Sequence, residues 1–158
     1  MQQPELRYED FLFDVHPAHQ GMVNELNDEL MKRGCVRKIE MAKSGYLVSY
    51  SDGKRALLNY VFRKSGLVMR IYADHLAEYS ELLPALPEAM RKKIAKAPAC
   101  RRLLDPAKCN QRCPLGYTFE LDGELHKKCR YNCFLLPVDD VSAPHLRELV
   151  GRELAARA

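Results

Sequence analysis

Tyr46-Leu47-Val48-Ser49-Tyr50-Ser51, then Asp52-Gly53, then the run from Lys54 to Lys64 is the stretch that decides the fold. Aliphatic, aromatic and polar residues alternate on both sides of a dipeptide suited to a two-residue turn, which is the pattern of a β-hairpin. A second turn at Ser65-Gly66 leads into Leu67-Val68-Met69-Arg70-Ile71-Tyr72, giving an antiparallel meander of three strands, or four if residues 36–41 join it. Helices flank this meander. Met22, Leu26 and Leu30 recur at helical spacing between Pro17 and Gly34. Asp74 is expected to cap a helix reaching about Leu83, and Pro87 to open another through about Ala97 with Leu86, Met90, Ile94 and Ala97 inward. A closing helix spans residues 142–157. The fold class is therefore α+β.

Two-residue turns keep opposed residues on one face, so parity can be followed across the meander. One face collects Leu47, Leu58, Tyr60, Phe62, Met69 and Ile71 and reads as core. The other collects Tyr46, Tyr50, Arg55, Asn59, Arg63, Arg70 and Tyr72, with Val48, Leu57 and Val61 between them. Tyrosines and arginines in alternation suit a planar anionic small molecule or nucleic acid. The plainer reading is that a helix covers the aliphatics while the arginines reach round its edge.

The second signal is Cys109-x3-Cys113, fifteen residues, then Cys129-x3-Cys133. Two close pairs on a short segment match the layout of four-cysteine zinc sites. Asp122-Gly123 lies between the pairs and predicts a hairpin with Leu121 opposite Glu124, Phe119 opposite His126 and Gly116 opposite Cys129. Its open end would gather Cys113, Cys129 and Cys133, with Cys109 one turn away. Lys108, Arg112, Lys128 and Arg130 flank the sulfurs and would favour thiolates, while His126 could support the site as a donor. Zinc is the expected occupant; an iron–sulfur cluster, or thiol–disulfide cycling, is the alternative from the same cysteines. Cys35 reads as a small core residue, and Cys100 is left unassigned.

The chain has 158 residues, of which 47% are hydrophobic, enough for one domain with its own core. Its subdivision is a 10–98 α+β core, a 99–138 cysteine-rich hairpin region and the closing helix. The net charge of +4 permits an anionic partner without requiring one. Met1 to Arg7 lacks a basic-then-apolar pattern and no apolar run approaches the ~18 residues of a membrane span, so a cytoplasmic protein without a membrane partner is expected. Phosphate-loop, dinucleotide-fingerprint, nucleophile-elbow and H-E-x-x-H patterns are missing, which favours a binding or regulatory role over catalysis. Arg91, Lys92, Lys93 and Lys96 read as a solvated helix face. Leu146, Leu149, Val150 and Leu154 read as a core stripe, with contact to a partner chain the alternative.

The order of a helix, a meander ending Leu67-Val68-Met69-Arg70-Ile71-Tyr72, and further helices resembles the small bacterial YdhG and MmcQ/YjbR-type domains over roughly residues 10–98. The resemblance implies a TATA-binding-protein-like fold with a curved sheet used for binding, and a bacterial source. It does not extend to residues 109–133.

Overall fold

A computed structural model describes residues 5–158. The expectation drawn from the N-terminus rests partly on residues 1–4, which lie outside the described residues. The chain forms α1 (Tyr8–Asp14), α2 (Pro17–Lys32), β1 (Val36–Ala42), β2 (Gly45–Asp52), β3 (Arg55–Arg63), β4 (Gly66–Ile71), α3 (Glu88–Lys96), α4 (Arg101–Leu104), β5 (Tyr117–Leu121), β6 (Glu124–Lys128), β7 (Leu135–Pro137) and α5 (Ala143–Arg157). One antiparallel sheet has the order β1-β2-β3-β4-β7, and β5-β6 is a separate hairpin. No helix among the described residues is long and apolar enough to cross a membrane.

Local chemistry accounts for most boundaries. His16 accepts from the Ala18 amide at the start of α2, where Pro17 suits the first helical position. The helix stops at Gly34, whose φ of +85° is open to glycine at little cost. Phe11 of α1, Leu26 and Leu30 of α2, and Leu146 and Val150 of α5 bury completely or nearly so against Tyr50, Tyr60, Met69 and Ile71 of the sheet. The stripe on α5 is thus intramolecular core.

Register corrects one expectation. A turn at Asp52-Gly53 would oppose Tyr50 to Arg55. Instead Asp52 pairs with Arg55, a bulge follows between Tyr50 and Ser51, and Tyr50 lies across from Leu58. The extra residue is Leu57, so Leu57 and Leu58 both enter the core. The shift turns β2 over: Tyr50 and Val48 are fully buried in the core and Tyr46 packs against it. The Tyr50 hydroxyl donates to Asn27 Oδ1 of α2 at 2.7 Å, and Arg37 donates to the same oxygen at 2.9 Å. Between β3 and β4 the expected parity holds, with Asn59 across from Arg70 and Tyr60 across from Met69.

A second correction concerns Asp74. The segment after it makes two short 3-10 stretches, Leu76–Glu78 and Ser80–Ala85, the latter containing Pro84. Asp74 caps neither, because its carboxylate is taken by two arginines. The strand β7 was not anticipated; three residues are too few to carry a period.

Candidate anion-binding cleft and the cysteine segment

The β5-β6 hairpin has the expected register, with Leu121 opposite Glu124 and Phe119 opposite His126. Asp122 and Gly123 take φ of +51° and +83°, the left-handed pair that a tight hairpin turn requires. Arg91 of α3 donates to both Asp122 oxygens and clamps the turn. Phe119 stacks on the buried His126 ring at 5.5 Å, so His126 serves packing. At the open end residues 98–100 run antiparallel to the outer edge of β6: Cys100 N–H donates to Lys127 O and Cys129 N–H to Pro98 O, both at 2.8 Å.

All six cysteines are free thiols. Cys129 and Cys133 sit one turn apart, joined by Cys133 N–H donating to Cys129 O at 2.9 Å. Burial pushes the Cys133 thiol far up, opposed by Lys128 and reinforced by the neighbouring Cys129 sulfur. Asn132 Nδ2 donates to Cys129 Sγ at 3.4 Å. Cys113 is half-buried, whereas Cys109 is exposed with φ of +63°. Among the described residues, no group of three or more His, Cys, Asp or Glu side chains is disposed to hold a metal ion. The flanking cations are dispersed as well. Lys108 and Arg112 are exposed. Lys128 Nζ donates to Ala95 O and Ala97 O at the end of α3.

Arg130 leads to a different site. Its buried guanidinium donates to Asp74 and lies 4.8 Å over the Tyr72 ring. Tyr131, the next residue, meets Tyr72 edge-on at 6.0 Å. These residues line a cleft of about 480 Å³ with Lys54, Arg55, Ala56 and Pro114. Three cations therefore face one carboxylate, and that carboxylate is already engaged by Arg130 and, at 3.2 Å, by Arg157.

The wall behind the cleft is a buried polar chain. Arg157 also donates to Ala56 O, Tyr72 O and Glu153. Glu153 accepts from the His75 amide at 2.8 Å and the Tyr79 hydroxyl at 2.7 Å, and pairs with the His75 ring. Buried charges persist only when paired, and each of these is, although Arg157 Nη1 is buried without an acceptor among the described residues. Arg70 braces the other side, its Nε donating to Tyr131 O at 2.6 Å and its Nη1 to Asn59 Oδ1 at 3.1 Å.

Of the expected tyrosine–arginine face, Arg55 and Tyr72 line the cleft, and Asn59 and Arg70 support it. Tyr46 and Tyr50 face the opposite side of the sheet. Arg63 is eight residues along β3 from Arg55, about 26 Å at ~3.3 Å per residue, and takes no part. Sequence reasoning missed Lys54, Asp74, Tyr131, Glu153 and Arg157. One signal was available: Glu153 interrupts the apolar stripe of α5 between Leu149, Val150 and Leu154, with Arg157 one turn on. No family model, curated protein or solved structure matches this chain.

Proposed function

We propose that this chain is a non-enzymatic binding module for a small planar anion, held in the cleft between the β2–β3 turn and the Cys129–Asn132 turn. The observation that carries the reading is the convergence of Lys54, Arg55 and Arg130 on Tyr72 and Tyr131, around a carboxylate already neutralised from within. Guanidinium and ammonium groups supply charge for a phosphate or carboxylate, and the half-exposed Tyr131 ring offers a stacking face for an attached ring system. A small ligand is favoured over nucleic acid because strand binding relies on several exposed aromatic platforms, and Tyr46 and Tyr50 are unavailable for that purpose.

The cysteine segment belongs to the same reading as a zinc site that stiffens the Cys129–Cys133 turn, from which Arg130 and Tyr131 project. Four thiolates would fill a tetrahedral zinc ion, making the role structural. Thiol redox cycling is the alternative from the same cysteines; burial that holds the Cys133 thiol protonated weighs against both roles, because the thiolate is the nucleophile and the metal ligand alike. Working in the cytoplasm, where thiols stay reduced, is part of the proposal.

The test is calorimetric titration with inorganic phosphate, a nucleoside monophosphate and a short single-stranded oligonucleotide at low and moderate salt. The mononucleotide should bind more tightly than phosphate, and Arg55→Ala and Tyr131→Ala should each weaken it about tenfold. Equal binding by wild type and both variants would remove the cleft as the site. Tighter binding of the oligonucleotide would favour nucleic acid instead.

A further inference from the structure

We infer that β1 is a self-association edge, along which two copies of this chain pair antiparallel about a two-fold axis at Ile39. The strand is 7 residues long and lies at one end of the β1-β2-β3-β4-β7 sheet. Among the described residues, no main-chain partner reaches its outer side. The sheet's other edge, β7, has only 3 residues and ends at Pro137.

The hairpin decides which main-chain groups of β1 point outward. Ala42 pairs with Gly45 across the two-residue loop Lys43-Ser44, which makes them the closing hydrogen-bonded pair. Bonded and non-bonded pairs alternate along an antiparallel ladder, so Val36, Lys38, Glu40 and Ala42 bond to β2. The N–H and C=O groups of Arg37, Ile39 and Met41 therefore face the open edge. A second copy can use them only in registers that set odd-numbered residues against odd-numbered residues.

Charge selects among those registers. With Ile39 opposite its own copy, Lys38 meets Glu40, Arg37 meets Met41 and Val36 meets Ala42, and the whole strand is paired. Moving the axis to Lys38 sets lysine against lysine, and moving it to Glu40 sets glutamate against glutamate. Like charges directly opposite destabilise a sheet. An edge lysine ordinarily guards against pairing. Here Lys38 Nζ lies 2.8 Å from Glu40 Oε1 within one copy, and the two-fold axis would set a second such pair against it with opposite signs facing.

The apolar surface agrees. Val36 is 58% exposed and Met41 55%, and pairing would cover both. On the helix-bearing face Ile39 packs against the core, and Arg37, held by Asn27 Oδ1, lies 4.5 Å over the Tyr8 ring. Met41 of the second copy would lie along the aliphatic stem of that arginine. A strand edge is small beside the ~800 Å² per partner of standard interfaces, so association is expected at micromolar concentration and not below.

Sedimentation velocity on the full chain over about two decades of concentration tests the pairing, with wild type expected to pass from monomer to dimer. K38E and E40K each set like charges opposite at both ends of the strand and should weaken the dimer about tenfold. The double variant K38E/E40K restores opposite charges in the same register and should recover wild-type association. I39P removes an outward N–H that has no partner within one copy and should abolish the dimer. Should I39P not fold, amide exchange in wild type decides: slowing at Arg37, Ile39 and Met41 as concentration rises supports the pairing, and unchanged exchange overturns it. A chain that stays monomeric throughout overturns the inference, as does a dimer that both single reversals leave intact. Loss in the single variants without recovery in the double overturns the register at Ile39.

Discussion

Glu153 and Arg157 stand one turn apart on α5 with both side chains sealed from solvent, Oε2 2.7 Å from Nε. Removing one partner of such a pair strands the other, which costs several kcal/mol even where the intact pair adds little net stability. Glu153→Gln should therefore destabilise the fold by about 3 kcal/mol, read as a lowered urea midpoint at neutral pH. The effect should also have a pH signature. Burial alone would raise the Glu153 carboxyl, but bonds from His75, Arg157 and Tyr79 outweigh it and hold the group below its ordinary value of 4.5. A depressed folded value means the stabilisation is present above the unfolded value and fades as pH falls through the folded one. Wild type and Glu153→Gln should then differ most near neutrality, and the gap should shrink as pH falls below the ordinary carboxylate value and through the depressed folded one. A gap that stays constant down to pH 3 would show that the Glu153 charge is not the source.

Tyr60 makes the opposite case. Its hydroxyl is buried with no hydrogen-bond partner among the described residues, while its ring packs 5.6 Å from Phe11. Tyr60→Phe keeps the ring and removes a desolvated polar atom, so stability should rise by up to about 1 kcal/mol. Tyr50→Phe, on the same core face, loses the bond to Asn27 and should cost about 1 kcal/mol. Thermal melts of the two variants should move in opposite directions. If both lose stability equally, an unobserved partner for Tyr60 must exist.

The positions that could be read from sequence are those where chemistry and geometry coincide at short range. Asp122-Gly123 fixed the hairpin because few dipeptides adopt two left-handed residues in succession. The inward face of α3, with Met90 and Ile94, followed from spacing alone. The tyrosine–arginine face failed at one residue: Leu57 bulges out of register, and with a side-chain period of two that single insertion exchanges the faces of β2. Nothing in Leu57-Leu58 marks a bulge. Asp74 was misread because an aspartate before a helical pattern usually caps it, whereas Arg130 and Arg157 reach it from 56 and 83 residues away. Long-range pairing of this kind leaves no local signature.

Arg55 and Arg130 should separate binding from stability. Arg55 is exposed and forms no ion pair among the described residues, so Arg55→Ala should weaken anion binding and leave the melting temperature within about 1 °C. Arg130 is buried against Asp74 and Tyr72, so Arg130→Ala should lower both, by roughly 2 kcal/mol in stability. Equal destabilisation by the two variants would mean that Arg55 has a structural partner after all.

Gly116 tests whether the cysteine ladder is a packed seam. A Cβ there would strike the Lys128 carbonyl oxygen and come within 2.8 Å of Cys100 Cβ. The oxygen belongs to β6 and cannot swing aside, so Gly116→Ala must prise apart the open end of the hairpin and crowd Cys100 where residues 98–100 close on β6. The expected cost is about 1–3 kcal/mol, with faster hydrogen exchange at the Cys100 and Cys129 amides that close the ladder. Gly151 in α5 is the control, since a Cβ there meets nothing within 4 Å. Gly151→Ala should stabilise the helix by up to about 1 kcal/mol, because alanine is the better helix former. The same substitution thus has opposite signs at two sites, for reasons of contact in one and chain entropy in the other. Unchanged exchange at Cys100 and Cys129 in Gly116→Ala would mean that the seam is not closed in solution.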